Sequence, residues 1–125
     1  MTSQGSPYAR LRRALETTRS PSTIRDAASE LGQVGLEDAL DICLGLLERE
    51  PACYARAAAR WAARLMIEHA LDLRDAHLTL AALGALDGAS PRAGAEALIE
   101  LCHRHGLRRC DEVIGAWMSR RGIEA

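Results

Sequence analysis

Apolar and polar residues follow a period near 3.6 along almost the whole chain, and the pattern predicts seven helices. Tyr8, Leu11, Leu15 and Thr18 form one stripe, with Arg10, Arg13 and Thr17 opposite, which predicts a helix from Pro7 to about Thr18. Ile24, Ala27, Ala28 and Leu31 predict a second helix over 21–31, ending in the stretch from Gly32 to Gly35. A third, Leu36 to Glu48, sets Leu36, Ala39, Leu40, Cys43, Leu46 and Leu47 inward, with Glu37, Asp41 and Glu48 on the solvent stripe.

The fourth segment, Pro51 to His69, is the longest. At 100° per residue, Tyr54, Ala55, Ala58, Trp61, Ala62, Leu65, Met66 and His69 fall within an arc of roughly 160°. So wide an arc predicts contact with several neighbours. Arg56, Arg60, Arg64 and Ile67 occupy the remaining face. The fifth segment, capped by Asp72 and running to Leu86, is apolar nearly all round. That marks it as the buried helix of the set, with His77 on its inward side. A sixth runs from Pro91 to about His105, and a seventh from Leu107 to about Arg121 places Leu107, Cys110, Ile114 and Trp117 on one face.

Local chemistry marks the ends of these segments. Ser6-Pro7, Ser20-Pro21 and Ser90-Pro91 each pair an N-cap residue with proline at the first helical position, where its missing N–H costs nothing. The sixth segment ends near His105-Gly106. Residues 1–5 are expected as a disordered polar tail, 6–121 as one helical domain, and 122–125 as a short C-terminal tail.

Three segments begin alike: LEDALDICLGLL at 36, LRDAHLTLAALG at 73 and LRRCDEVIGAWM at 107 each lead with Leu and carry an apolar residue or Cys three later. A spacing in the thirties is the range of paired-helix repeats. On these residues the chain resembles a short α-solenoid of HEAT-like or tetratricopeptide-like type. The resemblance implies antiparallel helical hairpins and a binding role. The tetratricopeptide Trp-Leu-Gly-Tyr pattern is absent, and a compact irregular bundle of the same helices fits the periodicity too. Polar outward residues on the end helices (Arg10, Arg13 and Thr17; Arg108, Arg109, Glu112, Ser119 and Arg120) suit capping positions.

Composition agrees with an all-α fold: 48% of residues are apolar but only 3% aromatic, with no Phe, so Ala and Leu carry the packing. All sixteen basic residues are Arg, as a GC-rich bacterial-type coding bias produces. A net charge of −1 argues against binding nucleic acid or anionic membrane through the overall field. The start, MTSQGSPYARLRR, shows no apolar leader, and charges interrupt every apolar run short of a membrane span. A cytoplasmic protein with four reduced thiols is the expectation.

The candidate chemistry is sparse. Arg56, Arg60 and Arg64 recur every four residues, about 6 Å apart along the helix. With Ile67 in the same sector they form the expected partner-binding face, read against a plain solvated face or salt bridges to Glu37, Asp41 or Glu48. The same arginines, joined by Arg10, Arg12 and Arg13 or by Arg104, Arg108 and Arg109, are the nucleic-acid alternative, although no nucleic-acid-binding signature accompanies them. Cys102, His105 and Cys110 are the candidate metal ligands, short of the fourth that a closed zinc site requires. All three also lie on core stripes. Glu37-Asp38-x-x-Asp41 resembles the aspartate-rich, magnesium-binding motif of isoprenoid-processing enzymes, but it occurs once in a chain too short to enclose a prenyl group. No phosphate-binding glycine loop, HExxH motif or nucleophile–base pair appears, and no cofactor is implied. The expected protein is a non-enzymatic binding module with a protein partner.

Overall fold

The structure, a computed structural model, describes residues 34–123, and among these it contains five α-helices and no strand. They are α1 (Leu36–Arg49), α2 (Tyr54–Glu68), α3 (Leu73–Leu86), α4 (Pro91–Arg104) and α5 (Arg108–Arg120). The helices expected over 7–18 and 21–31, and the tail at 1–5, lie outside the described residues.

Where local chemistry sets a boundary, expectation and structure agree to within a residue or two. Asp72 caps α3, its side chain accepting a 2.8 Å hydrogen bond from the Asp75 N–H. Pro91 opens α4, although the Ser90 side chain makes no capping bond. The segment from Pro51 is not one continuous α-helix. Pro51–Cys53 form a 3-10 turn, with Cys53 N–H bonded to the Glu50 carbonyl, before α2 begins at Tyr54. Three helices end in the same motif, a left-handed residue followed by an N–H that reaches back five positions. In α4 and α5 that residue is Gly106 or Gly122, and in α2 it is Ala70, at φ 48°.

Each helix packs against its chain neighbours, and α1 closes the set by packing against α5. The pairs that would stack in paired-helix repeats, α1 with α3 and α3 with α5, are not in contact. The shared interior holds Trp61 and Trp117 with Leu40, Leu44, Leu65, Leu98, Leu101 and Ile114, all essentially inaccessible. Ile123, expected in a tail, packs against this core, its N–H bonded to the Met118 carbonyl.

One expectation fails clearly. The segment 73–86 is not the most buried helix: only Asp75, Thr79, Ala82, Leu83 and Leu86 are enclosed, while Leu73 is 73% exposed and Leu80 45%. His77, expected inward, is exposed. The most enclosed helix is α1, buried at nine of fourteen positions, Leu40 and the whole run Ile42–Leu47 among them. Among the described helices α3 packs against α2 and α4, and the side that carries Leu73, His77 and Leu80 faces outward.

Candidate binding groove

Helix α2 is clamped on both sides. The Trp61 indole N–H donates to the Leu36 carbonyl of α1 at 2.9 Å, and the Tyr54 hydroxyl donates to the Leu83 carbonyl of α3 at 2.7 Å. Both rings are buried, so these bonds form in a low-dielectric interior and orient the helix about its own axis. That orientation decides where the arginines go.

Arg56, Arg60 and Arg64 do not project into open solvent away from the fold. They line one side of a groove of about 500 Å³ between α1 and α2. Half-buried Ala39 of α1 and Ala57 of α2 supply its accessible apolar surface, with Val34 at one end, and Ile42 and Leu46 lie buried behind them. Cys43 lies in the floor, where burial pushes its thiol up to about 12, so it is neutral near pH 7 and no nucleophile.

The alternative reading of the arginine row, salt bridges to Glu37, Asp41 or Glu48, finds no such pair among the described residues. Glu37 pairs with Arg109 and Glu48 with Arg120, both on α5. Arg64 pairs within its own helix, its Nε 3.0 Å from Glu68. Among the described residues, Arg56 and Arg60 make no ion pair or side-chain hydrogen bond, and both are exposed. Unpaired surface arginines are ordinary; two of them on the rim of an apolar groove are less so. Ile67, assigned to the same face, does not line the groove. It is 81% exposed near the C-terminal end of α2.

The candidate metal ligands divide. Cys102 and Cys110 meet where α4 passes into α5, both buried. The hydrogen bond they share raises the Cys102 thiol and lowers that of Cys110. His105 turns away from them, its Nε2 lying 2.9 Å from Asp75 Oδ2. His103 pairs with Asp111. Among the described residues, no group of three or more His, Cys, Asp and Glu is arranged to hold a metal ion. Glu37, Asp38 and Asp41 of the aspartate-rich run line one recess between α1 and α5, where Asp38 is buried and Glu37 is engaged with Arg109.

Sequence reasoning missed Asp75. Its buried carboxylate receives both His105 and Arg104, the latter at 3.1 Å, which ties the start of α3 to the end of α4. The hydrogen bond from His105 is the main cause of a pKa below the usual carboxylate range, and Arg104 adds to it against the opposing effect of burial. The only hint in the sequence was an acid three residues past the Asp72 cap, and its partners lie about thirty positions away.

No protein-family model matches this chain, and no curated protein or solved structure is similar to it. The functional reading therefore rests on the groove. No helix among the described residues is long and apolar enough to cross a membrane.

Proposed function

We propose that this protein is a non-enzymatic, cytoplasmic adaptor or regulatory module that binds a partner protein through the groove between α1 and α2. The observation that carries the proposal is the pair Arg56 and Arg60, without ionic partners among the described residues, at the edge of an apolar recess. A surface built only for solvation has no use for an apolar floor beneath its charges. Protein interfaces combine the two, an apolar centre with arginine at its margin. The neutral thiol of Cys43, buried in the floor, fits recognition better than chemistry.

For the arrangement of the helices we favour a compact bundle over stacked repeats, on the closure of α1 against α5. The partner then meets one groove rather than an extended concave surface.

Affinity purification of the tagged full chain from its own cells, compared with Arg56→Glu/Arg60→Glu by quantitative mass spectrometry, tests the proposal. A protein recovered with the parent is expected to fall about tenfold or more with the variant, a change of about 1.4 kcal/mol. Equal recovery overturns it. Recovery that disappears on nuclease treatment replaces it with nucleic-acid binding, for which two or three phosphate contacts give only a shallow salt dependence.

A further inference from the structure

We infer that the occupant of the α1–α2 groove is an acidic amphipathic helix presented by the partner protein, an inference that rests on the protein-binding reading above. Three features lead to it.

The first is charge. Arg64 already holds Glu68, so the unsatisfied positive charge sits at Arg56 and Arg60, toward the N-terminal half of α2. Guanidinium groups present planar, forked donors that match carboxylates. The complement of this rim is a pair of carboxylates.

The second is spacing. Arg56 and Arg60 are four residues apart on one helix, about 6 Å along its axis. Carboxylates at i and i+4 of an opposing helix repeat at the same distance and lie on one face. The apolar side chains of that helix, on the adjacent face, then meet the half-buried Ala39 and Ala57, with Val34 at one end.

The third is the backbone of the walls. Both walls of the groove are helices, whose amides are bonded within their own turns. An extended peptide gains no main-chain hydrogen bonds there, as it would on the edge of a sheet. A helix satisfies its own backbone and needs only side-chain anchors. A nucleic-acid strand would leave Ala39 and Ala57 without an apolar partner and find, among the described residues of the groove, two unpaired cations.

Fluorescence anisotropy with the full chain and a labelled synthetic helical peptide tests the inference. The peptide is about 16 residues long, enough to hold a helix in water. It carries Leu at i, i+3, i+4 and i+7, with Glu at two flanking positions four apart. Its counterpart has Lys in place of Glu. The acidic peptide is expected to bind and the Lys peptide to bind at least about tenfold more weakly. Arg56→Gln/Arg60→Gln is expected to erase that difference while leaving circular dichroism and Tm unchanged. Ala57→Trp, which fills the groove and keeps both charges, is expected to weaken the acidic peptide as well.

Equal binding of the two peptides, or acidic-peptide binding indifferent to both variants, overturns the inference. So does the absence of peptide binding alongside saturable, Arg56- and Arg60-dependent binding of dodecanoate, which assigns the groove to a small anionic amphiphile. If no peptide binds yet the purified partner is still lost with Arg56→Glu/Arg60→Glu, the protein-binding reading stands and only the acidic helix is refuted.

Discussion

The hydroxyl of Tyr54 donates a 2.7 Å hydrogen bond to the carbonyl of Leu83, twenty-nine residues further along the chain. Leu83 belongs to the last turn of α3, whose carbonyls lack the usual partners within the helix. The Asp87 N–H bonds instead to Gly84, three residues back, and Tyr54 takes the carbonyl left over. Tyr54→Phe keeps the ring and strands that buried acceptor. The expected loss is about 1–3 kcal/mol, read as a lower urea midpoint with an unchanged m-value.

Arg56 and Arg60 carry no such structural duty. Arg56→Gln/Arg60→Gln is expected to leave unfolding free energy within about 0.5 kcal/mol of the parent. Arg104→Gln, which takes one donor from the buried Asp75 carboxylate, is expected to lower it measurably. A matched pair of thermal melts separates the two kinds of arginine. Equal effects would mean that the groove arginines also hold the fold.

Acid stability isolates Asp75. Its native pKa is depressed below the ordinary value of 3.8, so the unfolded chain takes up the proton first as pH falls. The stabilising contribution is complete above 3.8 and is lost as pH drops through the lower native value. Asp75→Asn is therefore expected to lower Tm at neutral pH and to converge on the parent once pH falls below the depressed native value. Melts across this range check it. A Tm difference that persists at the acid end would contradict the ionic clasp.

Gly94 marks the closest approach of α3 and α4. A Cβ there would stand 2.6 Å from the Ala82 carbonyl and 2.9 Å from the Ala85 Cβ. Gly94→Ala is expected to cost about 1–3 kcal/mol despite the better helix former. At Gly84 a Cβ meets nothing within 4 Å, so Gly84→Ala is expected to stabilise by roughly 0.5–1 kcal/mol. Chemical denaturation of the two variants should give opposite signs.

Ala70 holds, at φ 48°, the left-handed position that glycine fills after α4 and α5. Ala70→Gly relieves a strain of about 1–2 kcal/mol, offset in part by the greater freedom of the unfolded chain. A net gain of a few tenths to about 1 kcal/mol is expected in Tm or urea midpoint.

The five described helices and most of their ends were legible in the sequence because they depend on interactions a few residues long. Asp72 caps its own first turn, Pro91 opens α4, and Gly106 closes it, each by chemistry confined to that stretch. The arginine row was legible for the same reason, since spacing by four is a property of one helix. What lay beside each helix face was not. Leu73 and Leu80 read as core yet face outward, because no other element among the described residues covers that side of α3. Ile67 shares a helical sector with the arginines but misses the groove, whose other wall is α1. His105 leaves the cysteines for Asp75, a partner thirty residues away. Periodicity records that a face is apolar or charged, but what lies opposite is set by how the helices close on one another. Only the packing of α1 beside α2 turned a row of arginines into one side of an apolar groove.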